Sequence, residues 1–172
     1  MTTVLVTGPI GGGKSTVCRY LETKGFPVYD CDARCKALYD RGPGFRERIE
    51  MELGIPFAEL GRIFTDRLLR EKLEAIVYPL LIEDIVNWKS LQVSRLAFIE
   101  SAIALEKPEF RGLWDKVLMV TAPFEVRVGR NPRAVERDAL QHHDPSLIDY
   151  TIINDSDTGS LHKKTDLFLK SL

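Results

Sequence analysis

The sequence predicts an α/β fold, a parallel sheet of about five strands with helices on both faces, and three observations predict it. Five short apolar runs, Val4-Leu5-Val6, Pro27-Val28-Tyr29, Leu96-Ala97-Phe98-Ile99, Val117-Leu118-Met119-Val120 and Thr151-Ile152-Ile153, are continuous rather than alternating. Strands buried on both faces read this way. Helical patterns separate the runs, as parallel strands require. A glycine-rich loop follows the first run and opens into the helical stretch Val17-Cys18-Arg19-Tyr20-Leu21.

Composition bounds the rest. With 172 residues, 44% of them hydrophobic, the chain is expected to be one domain with a real core. The 24 Lys+Arg against 25 Asp+Glu leave a net charge of -1, so neither a nucleic-acid nor a membrane partner is expected. Cys18, Cys31 and Cys35 are odd in number and lack CxxC spacing, which excludes a disulfide framework or a four-cysteine zinc site. Only a few residues precede Gly8, too few for a signal peptide. No apolar run approaches the roughly 18 residues of a membrane helix. A soluble, cytoplasmic protein is the expectation.

The first strand leads into Gly8-Pro9-Ile10-Gly11-Gly12-Gly13-Lys14-Ser15-Thr16, which satisfies GxxxxGK[ST]. Glycines let backbone N–H groups turn inward around phosphate oxygens, and the following helix adds its positive dipole end. Lys14 would reach the β- and γ-phosphates, and the Ser15 hydroxyl would hold Mg²⁺. Pro9 has no N–H and lies outside the donor set. The loop points to the P-loop nucleoside-triphosphate hydrolase fold but not to what is done with the phosphate; the nucleotide-kinase type is what the family resemblance given below implies. No Asn-Lys-x-Asp element for guanine occurs, which favours ATP; Phe98-Ile99-Glu100 puts Glu where a strand-terminal Asp is usual.

The second strand ends in Asp30-Cys31-Asp32. A carboxylate at the C-terminal edge of a parallel sheet borders the ligand crevice and is placed to take a proton from an acceptor hydroxyl. Asp32 reads equally well as the N-cap of a helix starting at Ala33. The interval to the third strand is long and helical. Thr65 or Asp66 is a plausible N-cap, after which Leu69, Leu73, Ile76, Val77, Leu80 and Leu81 recur at helical spacing, and Pro79 is expected to kink or break the helix. An insertion of about 32–92 exceeds what a crossover needs and suggests a substrate-covering subdomain, or simply extra packing.

After the fourth strand come Arg127, Arg130, Arg133 and Arg137. Arginines that close over a transferring phosphoryl group stabilise its charge and exclude water; the plainer reading of each is a solvated helix face. Asn131-Pro132 reads as a loop or hinge rather than a continuous helix. His142-His143 point apart on a helix and have no supporting ligand cluster, and Trp88 and Trp114 read as packing residues.

Beyond the loop, the chain resembles the dephospho-coenzyme A kinase family of P-loop kinases in several segments taken in order. Gly25-Phe26-Pro27-Val28-Tyr29-Asp30-Cys31-Asp32 is similar to its Gly-x-Pro-hydrophobic-hydrophobic-Asp-Ala-Asp segment, and Phe64-Thr65-Asp66-Arg67-Leu68-Leu69 to its Leu-Asp-Arg element. Glu74-Ala75-Ile76-Val77-Tyr78-Pro79-Leu80-Leu81 resembles its Glu-x-Ile-x-His-Pro-x-Ile helix, Arg137-Asp138-Ala139-Leu140-Gln141 its lid, and Asp149-Tyr150-Thr151-Ile152-Ile153-Asn154 its last strand. The resemblance implies transfer of the γ-phosphoryl group of ATP to the ribose 3′-hydroxyl of dephospho-coenzyme A, with Mg²⁺. It implies Asp32 as the base, Arg130 and Arg137 as lid arginines, and Asn154 on the ATP side. Lys36, Arg67 and Tyr78 then fall on the acceptor side, within the helical insertion. Tyr78 stands where the family has His, Lys36 where it has Arg, and Ser101-Ala102-Ile103-Ala104-Leu105-Glu106 replaces Pro-Leu-Leu-Phe-Glu; the lid, about 125–146, is shorter than usual. The alternatives are a kinase for another small acceptor, such as a nucleoside or nucleotide, or an ATP-binding protein that has lost transfer.

Overall fold

The computed structural model describes residues 1–40, 42–138 and 144–172. The five apolar runs form five parallel strands: β1 (Thr2–Thr7), β2 (Val28–Asp30), β3 (Leu96–Glu100), β4 (Lys116–Thr121) and β5 (Tyr150–Ile153). Their order is β2-β3-β1-β4-β5, with β1 at the centre. Register aligns Val6 with Glu100 and Asp30 with Glu100, so all three of these residues lie at one edge of the sheet, the edge where β1 runs into the glycine loop.

The chain divides into two compact units. The first, residues 1–30 with 91–172, holds the sheet together with α1 (Lys14–Thr23), α5 (Phe124–Arg130), α6 (Ala134–Asp138) and α7 (Thr158–Ser171). Its core forms because one face of the strands presents Val4, Val6, Phe98, Leu118, Val120 and Ile152, against which α1 places Val17, Cys18 and Leu21 and α7 places Leu161 and Phe168. Alternating with these, Leu5, Ile99, Val117 and Met119 are buried as well. Burial on both sides is why the strands read as continuous apolar runs. Asn131 is extended between α5 and α6, so the Asn131-Pro132 step does interrupt the helix.

The second unit, Cys31–Ser90, is helical throughout its described residues: α2 (Cys31–Tyr39), α3 (Pro43–Leu53), a 3₁₀ segment (Phe57–Phe64) and α4 (Arg67–Ser90). Asp66 caps α4, its Oδ1 accepting from Leu69 N at 3.1 Å. Along α4, Leu69, Leu73, Val77, Leu81 and Ile85 are buried at four-residue spacing, which makes a single apolar stripe. Tyr39 packs edge-on against Phe57 at 5.3 Å between ring centroids, and Arg34 pairs with Asp84 at 3.7 Å.

Two expectations are corrected. Pro79 does not break α4, which runs unbroken for 24 residues. Proline deletes only one N–H bond, and the buried residues on either side, Val77, Tyr78 and Leu81, hold the helix together through it while Pro79 itself is exposed. Nor does α2 begin at Ala33: it starts at Cys31, directly after β2, which places Asp32 inside the first turn rather than at the N-cap. No helix among the described residues is long and apolar enough to cross a membrane.

Candidate active site

The loop between β1 and α1 has the shape that an anion cradle needs. Gly13, at φ 108, precedes α1, and its carbonyl accepts from Thr16 N and Val17 N at 3.1 Å, which starts the helix. A side chain there would be strained in φ and would run into the Asn154 amide. Gly11, at φ 76, is crowded from the other side, since a Cβ would come within 2.8 Å of the Arg127 carbonyl. Gly12 N–H closes a turn onto Pro9 O at 3.1 Å, and Gly8 and Gly12 both lie against the Val120 carbonyl. The first N–H groups of a helix have no intrahelical acceptor, so the opening of α1 presents donors and a positive dipole end together.

Two side chains from outside the loop grip its carbonyls. The buried Asn154 amide, at the end of β5, donates to Gly12 O at 3.0 Å. Arg130, at the last residue of α5, donates from Nη1 to Gly11 O at 3.1 Å. Within the loop, the Lys14 ammonium donates to Gly8 O at 2.7 Å and to Pro9 O at 3.2 Å. The ammonium is thereby held against the first carbonyls of its own loop, placing a positive charge beside it.

Beside the loop, the Ser15 hydroxyl donates to Glu100 Oε1 at 2.7 Å. Burial pushes the Glu100 carboxyl above the usual carboxylate range and the neighbouring Asp30 charge adds to the rise, while hydrogen bonds from Ser15 and Cys18 and the Lys14 charge oppose it. Burial likewise raises the Cys18 thiol, with the Glu100 charge adding, so Cys18 stays a neutral donor. A hydroxyl and a carboxylate at hydrogen-bond distance are hard oxygen ligands. No group of three or more His, Cys, Asp or Glu gathers as a metal site among the described residues. That donor set fits Mg²⁺, which takes one or two protein oxygens and completes its shell with water and phosphate.

A cleft of about 170 Å³ opens next to the loop, lined by Gly13, Thr16, Arg130, Asn154, Ser156, Thr158 and Leu161. Of the expected ATP-side residues, Gly13, Thr16 and Asn154 line this cleft, while Gly8, Gly11, Gly12, Lys14 and Ser15 belong to the loop and the start of α1 beside it. Of the arginines, Arg130 is exposed at the cleft, whereas Arg127 is buried with Nε donating to Ala122 O at 3.0 Å, which staples α5 to the end of β4. Arg137 lies in α6, and Gln141, His142 and His143 lie outside the described residues. In the helical unit, Asp32 and Lys36 are exposed on α2, Arg67 pairs with Glu71 at 2.6 Å on the first turn of α4, and Tyr78 is buried in α4. Glu100, the last residue of β3, is the site residue to which sequence reasoning gave no role. An acid at that strand end stands out in the sequence, but as a departure from the usual Asp and not as a ligand.

Comparison with known proteins agrees with this geometry. The family model described as dephospho-CoA kinase matches residues 2–154. The dephospho-CoA kinase of Porphyromonas gingivalis is 40% identical over 147 residues, covering 80% of this chain and 71% of the relative. That of Fusobacterium nucleatum is 26% identical over 191 residues, covering 97% and 96%. Among solved structures, a Thermus thermophilus protein superposes with a TM-score of 0.80 at 24% identity over 99% of this chain and 97% of its own. The dephospho-CoA kinase from Campylobacter jejuni gives 0.63 at 18%, over 99% and 96%. A shikimate kinase from Acinetobacter baumannii gives 0.58 at 18%, over 99% and 94%; at these identities the structures speak for the fold. From the glycine loop through Asn154, and by its relatives, this chain belongs to the dephospho-CoA kinase family.

Proposed function

We propose that this protein transfers the γ-phosphoryl group of ATP to the ribose 3′-hydroxyl of dephospho-coenzyme A, the last step of coenzyme A biosynthesis. The observation that carries the proposal is the loop itself: Lys14 held on its carbonyls, with Ser15 bonded to Glu100 beside it, in a member of this family.

In this reading the N–H groups at the start of α1 bind the phosphates, and Lys14 leaves the Gly8 and Pro9 carbonyls for the β- and γ-phosphate oxygens. Ser15 and Glu100 would hold Mg²⁺, whose charge would offset the negative charge that develops on the phosphates. Asp32 accepts the proton of the 3′-hydroxyl as that oxygen bonds to the γ-phosphorus and the bond to the ADP oxygen breaks. Arg130 and Arg137 stabilise charge on the transferring group, and closure of the lid, about 125–146, keeps water out. The cleft is smaller than the roughly 300–1,000 Å³ of a whole-ligand site, so it takes one part of the nucleotide, while the open loop takes the phosphates. We assign acceptor binding to the helical segment, about 32–92, through Asp32, Lys36, Arg67 and Tyr78. A cytoplasmic location, where ATP is available, fits this reading.

The test is ADP release from Mg·ATP with dephospho-coenzyme A, against AMP, UMP and pantetheine, with products weighed by mass spectrometry. One added phosphoryl group on dephospho-coenzyme A alone is the expected result. Transfer to AMP or UMP instead would replace the acceptor, and nucleotide binding without any transfer would leave a binding protein.

A further inference from the structure

The cleft beside the loop has two helical walls. Thr16 belongs to α1, Thr158 and Leu161 to α7. One turn further along each helix stands an aromatic ring: Tyr20 is four residues after Thr16, and His162 four after Thr158. Residues four apart share a helix face, about 6 Å along the axis. These two rings stack on each other, with centroids 3.9 Å apart and planes within 6°.

We propose that the Tyr20–His162 stack is a spacer that sets the width of the nucleotide cleft, making both residues positioning residues for nucleotide binding. The inference rests on the reading above that this cleft takes part of the nucleotide. Two flat rings in contact fix the distance between α1 and α7 at one turn from the cleft walls, and that distance is what Thr16 and Thr158 inherit. The pair is locked in orientation: the Tyr20 hydroxyl donates to Asp166 Oδ2 at 2.9 Å, and Lys24 Nζ meets Asp166 Oδ1 at 3.0 Å. Hydrophobic burial is a separate matter, because Val17, Leu21, Leu161 and Phe168 already fill the core between these helices. Tyr20 and His162 are only half-buried at its rim. Their flatness, not their apolar area, is what the cleft depends on.

The test compares the full chain with His162→Ala, His162→Phe and His162→Leu, reading ADP affinity by calorimetry, KM for ATP and kcat for transfer, and melting temperature. Expected is a weakening of ADP binding and a rise of KM by about three- to tenfold in the Ala and Leu variants, with kcat within about twofold. His162→Phe, which keeps a flat ring, restores both. Should the Ala variant not fold, His162→Leu, close in volume but not flat, carries the comparison. Unchanged ADP affinity alongside a lower melting temperature would reduce the stack to packing and overturn the proposal, as would a Phe variant no better than Leu. ADP binding is read without acceptor, so a failure of transfer to dephospho-coenzyme A counts against the proposed acceptor and not against the spacer.

Discussion

Lys14 and Asp32 divide the proposed chemistry between binding and proton transfer, and single substitutions separate the two. Lys14→Ala removes the ammonium that lies over the Gly8 and Pro9 carbonyls, and transfer is expected to fall below detection with ATP binding weakened. Asp32→Asn keeps the size of the side chain but cannot take a proton. The ADP affinity of that variant is expected to match the parent while kcat falls by about 10²–10⁴-fold. Normal turnover by Asp32→Asn would remove Asp32 from the mechanism, since its position inside the first turn of α2 denies it the alternative role of N-cap. Glu100 is a different kind of acid. Because burial raises its pKa, Glu100 binds its proton more tightly in the folded state than in the unfolded one. Its contribution to stability is therefore fully present below the usual carboxylate pKa and is lost as pH rises through the raised value. Gln at this position does not titrate. In chelator-containing, metal-free buffer, the melting temperature of Glu100→Gln relative to the parent is expected to climb as pH rises above the usual carboxylate range; a pH-independent gap would contradict the assignment.

At the scale of elements, caps and strand ends carry most of the organisation. Asp66 accepts from Leu69 N at the start of α4, so Asp66→Ala is expected to destabilise the protein by about 1 kcal/mol, measured by urea unfolding, with kcat unchanged. The strands were legible because an apolar run buried on two faces needs no partner to be recognised. The α4 stripe was legible for a related reason, its four-residue repeat being local. Pro79 misled because the cost of a proline is local while the packing that outweighs it, through Val77, Tyr78 and Leu81, belongs to the unit as a whole. The start of α2 at Cys31 misled in the same way: the helix begins directly from β2, with no loop in which Asp32 could cap it.

For the whole molecule, charge balance makes its own prediction. A chain of net charge -1 carries no overall positive charge to attract a phosphate backbone. Duplex DNA or RNA added to the ADP-release assay at physiological salt is expected to leave the rate unchanged, and stimulation would point to a nucleic-acid-directed ATPase instead. The same near-neutral surface suits a small anionic substrate that is recognised by a few focused donors rather than by a broad field.

What the sequence determined by itself is whatever is written in contiguous residues: the α/β class, the phosphate loop from Gly8 to Thr16, the carboxylates that follow β2, and the order of segments that resembles one kinase family. Tertiary structure alone decided which distant groups meet. Strand order β2-β3-β1-β4-β5 brings Glu100 to Ser15 across 85 residues and Asn154 to Gly12 across 142, and the docking of α7 on α1 stacks His162 on Tyr20. The physical reason is that such contacts depend on which strands pair and which helices share a face. Those choices minimise free energy over the whole chain and leave no periodicity or spacing in any short stretch of it.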